Sequence, residues 1–244
     1  MKFKLLIIPV LALGIYQGSV ASSLVSFKYE NTEFLALEND PQTVIANYIN
    51  AIGGQENVDK IRNVYMMAEA DFQGAKIEML TISDSENVRM KQQVSAMGNV
   101  QQKTILVDGK CTMTVMGQEQ PVPEEMISSL VLQVYIFPET RYEELGIELE
   151  LRGTEEVNGE EAHVLVVNLP NGMKTLEYFS VKSGLKLKTS SDAAGDITYT
   201  DYQEIEGVLI PQTATIQSPM LPFALETKFT TIEFNRELTD EDFK

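Results

Sequence analysis

The chain has 244 residues, with 19 basic residues against 36 acidic ones and a formal charge of −17, so its field repels phosphate backbones and anionic headgroups and argues against a nucleic-acid partner. A single cysteine, Cys111 in the apolar run CTMTVM, excludes an intramolecular disulfide, so stability must come from one sizeable core, which this length can bury in a single domain.

The first 21 residues carry Lys2 and Lys4, then the apolar run LLIIPVLALGI, then Ser19-Val20-Ala21 with small residues where a signal peptidase reads. The run is too short to span about 30 Å of hydrocarbon, so residues 1–21 read as a secretory signal peptide cleaved after Ala21. Loss of Lys2 and Lys4 leaves 17 basic against 36 acidic residues, a charge of −19. The expected address is the periplasm and the expected state a soluble monomer. Residues 22–40 have no sustained period and read as an N-terminal arm, leaving 41–244 as the folded domain.

Pro41 opens a helix in which Val44, Ile45, Tyr48, Ile49 and Ile52 share one face, and Gly53-Gly54 ends it. A short helical turn over Gln55–Ile61 leads into a strand, where the period changes to two. Val64, Met66, Ala68, Ala70 and Phe72 lie on one face, with Glu69 and Asp71 on the other. Further strands follow at Lys76–Ser83, Val88–Val94, Val100–Val107 and Cys111–Met116, with Asp108-Gly109 as a tight hairpin turn.

Seven of the eleven methionines fall in this half, and flexible, polarisable Met suits surfaces that accept variable apolar partners. A Met-lined concave face would take an acyl chain; ordinary core packing is the competing reading. Met66, Met79, Met90 and Met113, with Met126 and Leu130 from the next helix, are the candidate ligand-binding residues. That helix spans Pro123–Tyr135 after a loop at Gly117–Pro123, and its apolar face reads either as a lid over a pocket or as a plug filling the concavity.

Charge-rich Glu139–Glu144 connects to strands at Ile147–Leu151 and Ala162–Leu169, with Asn158-Gly159 as a second tight turn. A meander fills Met173–Pro211, broken at Ser-Gly, Ala-Ala-Gly-Asp and Glu-Gly, and strands at Thr213–Gln217 and Ala224–Phe234 complete the pattern. The fold class is mainly β (α+β): a single curved antiparallel sheet, a half β-barrel of about eleven strands, with helices covering the concave face.

Motifs for chemistry are few. His163, the sole histidine, sits in the strand HVLVV without a Ser or Cys placed for nucleophilic catalysis, and a zinc-hydrolase helix needs two histidines. No Gly-rich phosphate loop occurs. Glu139, Glu143, Glu144 and Asp240–Asp242 lack the spacing of a Ca²⁺ loop and read as solvated surface. No catalytic residue, metal or cofactor is expected, and the chain reads as a non-enzyme. Were it an enzyme, His163 would be its base.

An early helix ending in AIGG, the segments TLEYFSVKSGLKLK and DYQEIEGVLIP, and the final strand TKFTTIEFNREL together resemble the periplasmic outer-membrane lipoprotein-sorting family. More narrowly, they resemble LolA-like domains of Bacteroidetes, some of them attached to exported insulinase-type peptidases, a part for which this chain lacks the histidines. The resemblance covers roughly Pro41 to Phe243. It implies a half-barrel whose apolar concave face, closed by helices, holds acyl chains, with an arginine holding the lid; Arg62, Arg89 and Arg141 are available. The expected partner is thus a lipid or lipoprotein acyl chain bound between the sheet and the Pro123–Tyr135 helix. The alternative is a cell-envelope module that docks a protein partner and binds no lipid.

Overall fold

The structure, a computed structural model, describes residues 40–244 apart from 193 and 220, so the signal peptide expected at 1–21 and all of the expected arm but Asp40 lie outside the described residues. Two helices, α1 (Pro41–Ala51) and α2 (Gln55–Val58), precede β1 (Asn63–Phe72), β2 (Ala75–Asp84), β3 (Arg89–Ala96), β4 (Asn99–Val107), β5 (Lys110–Val115) and β6 (Gln118–Gln120). Helix α3 (Glu124–Leu132) and a 3₁₀ turn (Pro138–Arg141) separate these from β7 (Glu148–Val157), β8 (Glu160–Asn168), β9 (Lys174–Ser180), β10 (Lys186–Ser191), β11 (Gly195–Ile205), β12 (Val208–Gln217) and β13 (Leu225–Phe234). All thirteen strands form one antiparallel, curved, unclosed sheet in the order β6-β5-β4-β3-β2-β1-β13-β12-β11-β10-β9-β8-β7.

This order means that each half of the chain is a plain meander, and the two halves are zipped by β1 against β13, with Val64 opposite Phe234 and Ala70 opposite Thr227. The free edges are therefore β6 and β7, consecutive in sequence yet at opposite ends of the sheet. The link between them, α3 and the 3₁₀ turn, has to cross the sheet.

The expected fold class holds, with thirteen strands in place of about eleven. β6 is three polar residues, too short to register as a period, in what reads as a loop. β12 runs through Pro211, where a strand end was expected; Pro211 faces Tyr202 beside Asp201, which has φ 57° and falls out of the ladder, so the missing N–H lies where pairing is already interrupted. The two expected tight turns carry positive φ at both positions, 51° and 70° at Asp108-Gly109 and 51° and 86° at Asn158-Gly159.

Helix α1 buries Val44, Ile45, Tyr48 and Ile49, the face read from its spacing, and Ile52 just beyond its end is fully buried with them. They pack on Val64, Leu165, Phe179, Val208 and Phe234, which puts the main core on the inner face of the sheet. Gly53 ends the helix where no other residue fits: φ is 131°, and a Cβ there would stand 2.2 Å from the Gly207 carbonyl oxygen. The Ile52 carbonyl accepts a hydrogen bond from Leu209 N–H (2.7 Å), fastening the helix end to β12.

Helix α3 is shorter than the sequence reading of Pro123–Tyr135. Its Leu130 and the following Val134 pack on Met90 and Leu106 of β3 and β4, with Met126, Ile127 and Val131 beside them. At its other flank the Asn171 amide, in the β8–β9 turn, donates to Ser129 Oγ (2.8 Å). One helix thus touches both halves of the sheet.

Candidate functional site

Where the chain crosses the inner face, a cavity of 270 Å³ remains between the sheet and the segment Leu132–Glu139. Its floor draws on both meanders: Val64, Met66 and Thr81 from one, Val167, Ile197 and Ile210 from the other. Most of the wall is apolar. Leu132, Tyr135, Ile136 and Phe137 form the roof, so the residues just after α3, rather than the body of the helix, cover the space.

The candidate ligand residues are distributed as follows. Met66 lines the cavity. Met79 is buried with Ala70, Val94 and Leu225 in a neighbouring cluster. Met90 is fully buried under α3 with Leu130, and Met126 packs against the same cluster. Met113 is half-buried on β5.

The cavity holds a polar group that the spacing did not reveal. Glu177 on β9 and Lys186 on β10 face inward, and Glu139 reaches them from the 3₁₀ turn. Lys186 Nζ pairs with Glu139 Oε1 and lies 2.9 Å from Glu177 Oε2. Tyr142 donates its hydroxyl to Glu177 Oε1 (3.0 Å). The ammonium also lies 5.5 Å from the ring centroid of Tyr48 and 5.3 Å from that of Phe179. The sequence around Glu139 reads as solvated surface, yet with 6% of its area exposed Glu139 is a core residue, because the 3₁₀ turn swings it inward to meet Lys186.

A bulge brings Lys186 here. The ladder shifts register between Lys186 and Lys188, so Lys186 stands opposite Phe179 and Lys188 opposite Tyr178. Simple alternation would send both lysines to one face. Instead Lys186 enters the cavity, and Lys188 lies 4.0 Å from the centroid of the Tyr178 ring. The β10 backbone is fixed in turn by the Tyr202 hydroxyl, which donates to the Lys186 carbonyl (2.7 Å).

Burial raises the Glu139 carboxyl above the usual glutamate range, against the pull of Lys186. Burial alone would lower Lys186, but Glu139 and Glu177 outweigh it and hold the ammonium charged. Burial also pushes the Tyr48 and Tyr142 hydroxyls well up, and Tyr202 more moderately, so all three stay protonated donors. Three hydrogen-bonding atoms of wall residues have no hydrogen-bond partner among the described residues: Glu139 Oε2, Glu177 Oε2, which keeps its ion pair with Lys186, and Gln133 Nε2, on an amide whose oxygen accepts from Gln92 Nε2 (3.2 Å).

The three arginines lie elsewhere. Arg62 pairs with Glu86 at 3.4 Å, and Arg89 ties Asp84 (2.7 Å) to Asp240 (2.9 Å). Arg141 pairs with Glu144 and stacks 4.9 Å from the centroid of Tyr135 in the roof. Lys186 is the cation among the described residues of the cavity wall, and its pairing with Glu139 pins the crossing segment to the sheet.

His163 on β8 faces a second cleft, 450 Å³, between α1 and the β9–β10 turn, lined by Asn47, Asn50, Ser180 and Lys182 among others. Its Nδ1 is buried without a partner among the described residues. Among the described residues no three His, Cys, Asp or Glu side chains group to hold a metal ion, and no helix is long and apolar enough to cross a membrane.

No protein-family model and no curated protein matches the sequence. Solved structures similar to it include a DUF1329 family protein from Desulfovibrio piger, with a TM-score of 0.54 at 12% identity, covering 84% of this chain and 98% of that one. A LolA superfamily protein from Nitrosomonas europaea is similar over 81% of this chain and 97% of its own, with a TM-score of 0.48 at 15% identity. A putative outer membrane lipoprotein-sorting protein domain from Vibrio parahaemolyticus covers 78% of this chain and 94% of its own, with a TM-score of 0.49 at 13% identity. At these identities the likeness concerns fold alone.

Proposed function

We propose that the chain is a non-enzymatic periplasmic carrier or sensor that holds one acyl chain of a lipid or lipoprotein in the cavity between the sheet and the segment following α3. The observation that carries this reading is the cavity itself: 270 Å³, mostly apolar and floored by both meanders. That volume lies just below the roughly 300–1,000 Å³ typical of small-molecule sites, which suits a single acyl segment. Each methylene buried there contributes about 0.8 kcal/mol, so a segment of about eight gives on the order of 6 kcal/mol before ordering costs. Of the candidate residues, Met66 would touch the chain directly. Met90, Met126 and Leu130 would act by seating α3, and Met79 and Met113 by shaping the adjoining wall.

Native mass spectrometry and lipid extraction of the protein purified from its own periplasm test this, together with titration of a neutral fluorescent acyl probe. Recovered lipid and saturable probe binding are the expected results. A protein that yields no lipid and binds no probe would be no carrier.

A second reading, docking of an envelope protein, has one observation of its own. Met97 and Met116, 77% and 64% exposed, occupy positive-φ positions (both 50°) in the β3–β4 and β5–β6 turns. Asn, Asp and Gly are the residues that suit such positions, and alternate turns of a meander lie at one end of the sheet, so both apolar side chains are exposed at that end. Crosslinking in cells separates the readings. A stable partner lost in Met97→Asn/Met116→Asn, with probe binding unchanged, would support docking.

A further inference from the structure

Building on the cavity reading, we propose that the polar end of the cavity selects the ligand's headgroup: it takes a single-chain amphiphile whose polar junction donates a hydrogen bond, a hydroxyl or an amide, and rejects one that ends in a carboxylate or phosphate. The argument starts from which polar atoms of the wall are already used. Lys186 donates to Glu139 Oε1, is ion-paired with Glu177 Oε2 at 2.9 Å, and lies beside the rings of Tyr48 and Phe179. Tyr142 is committed to Glu177 and Tyr202 to the Lys186 carbonyl. The ammonium is already shared by two carboxyls, so an incoming anion would have to compete with both.

Charge points the same way. Two carboxyls, Glu139 and Glu177, share one ammonium, so with both ionised the site carries a surplus negative charge. An incoming carboxylate would meet like charge in a poorly solvated space and would itself have to be desolvated.

What remains without a hydrogen-bond partner among the described residues, the Lys186-paired Glu177 Oε2 aside, is an acceptor, Glu139 Oε2, and the Gln133 amide nitrogen, both buried atoms of residues in the cavity wall. Both residues sit on the crossing segment, six positions apart in sequence, at the roof. A hydroxyl donates to Glu139 Oε2. An amide does so through its N–H and also offers its carbonyl to Gln133. A buried acceptor left without a donor is costly, whereas filling it with a hydrogen bond to a charged group is worth about ten- to a hundredfold in affinity.

The test uses the mature chain and a neutral fluorescent probe, displaced by amphiphiles of one chain length: dodecanol, N-methyldodecanamide, dodecanoate and dodecyl phosphate, below their micelle concentrations. At a pH of about 8, well above the ordinary carboxylate range, the alcohol and amide should displace the probe at least tenfold more tightly than the two anions. Glu139→Gln, which removes the charged acceptor, should narrow the gap between alcohol and carboxylate to about threefold or less. Equal displacement by all four in the wild-type protein, or preference for an anion, overturns this inference and leaves the cavity reading standing. Failure of the probe and of every amphiphile to bind overturns both.

Discussion

Replacing Lys186 by Met removes the ammonium and leaves Glu139 and Glu177 facing each other in the core. Their side chains are 3% and 9% exposed, and that of Lys186 is 11% exposed, so solvent can do little to screen what remains. Breaking a buried pair by deleting one partner costs about 3–5 kcal/mol, because a charge is stranded. The variant can escape by protonating a carboxyl. At neutral pH that costs about 4 kcal/mol for a glutamate with an ordinary pKa near 4.3, which caps the penalty for each carboxyl. The escape becomes easier as pH falls. The carboxyl pKa is raised in the folded variant, so the folded state binds more protons than the unfolded one, and stability falls as pH rises from about 4.3 upward. Urea unfolding should therefore give a loss of about 3–5 kcal/mol at pH ~7, shrinking to about 1–2 kcal/mol at pH ~5. Lys186→Met with Glu139→Gln and Glu177→Gln should recover most of it. A loss below about 1 kcal/mol, or one that is equal at both pH values, would mean that the lysine contributes packing alone.

Glu139→Gln relieves the two-to-one charge imbalance, so it should change stability by less than about 1 kcal/mol at neutral pH; it should also abolish the fall in wild-type stability as pH rises through the window above about 4.3 that the raised Glu139 carboxyl creates, as measured by urea midpoints across that range. Asp84 behaves in the opposite sense: burial works against its charge, but Arg89 and Asn87 prevail and hold its carboxyl low, so its contribution is present above about 3.9 and disappears as pH falls through the lowered value. Asp84→Asn should cost about 2 kcal/mol at neutral pH and nothing at the acid end, a difference visible in acid unfolding curves. Gly53→Ala, with φ 131° and a Cβ 2.2 Å from Gly207 O, should cost about 3 kcal/mol or more, against about 1 kcal/mol for Gly74→Ala, whose φ is 81° and whose Cβ meets nothing within 4 Å. Thr81→Phe, at a half-buried position on the cavity wall, should weaken probe binding about tenfold while leaving the unfolding free energy from urea titration within about 0.5 kcal/mol of wild type.

Much of the scaffold can be read from the chain because it obeys local rules. Val44, Ile45, Tyr48 and Ile49 repeat at helical spacing, and Asp108-Gly109 and Asn158-Gly159 demand tight turns wherever they occur. The candidate site is less legible because its residues break those rules. In TLEYF, Glu177 shares the inner face with Phe179, although its sequence neighbours Leu176 and Tyr178 are the apolar ones; only the pairing with Lys186 makes that orientation tolerable. Lys186 enters through a bulge, and no period predicts where a ladder will slip. Glu139 stands in PETR, whose composition is that of exposed surface, and its burial follows from the path of the crossing segment across the sheet. The methionines were visible as a cluster in sequence, but a strand alternation alone does not tell which of the two faces curls inward, and Met66 rather than Met90 reaches the cavity.

The topology explains why the polar group sits where it does. Once β1 and β13 are zipped, β6 and β7 are the two ends of the sheet, and the chain between residues 121 and 147 joins them over the face that carries the core. An apolar plug would meet that need with no desolvation cost, and apolar replacement of a buried ion pair is often neutral or stabilising. The crossing segment instead brings Glu139 and Gln133 to the cavity, each with an atom left unpaired among the described residues. Folding gains nothing from those two atoms. A ligand with a donor to offer would gain from both, which ties the cost of the buried group to recognition rather than to the stability of the sheet.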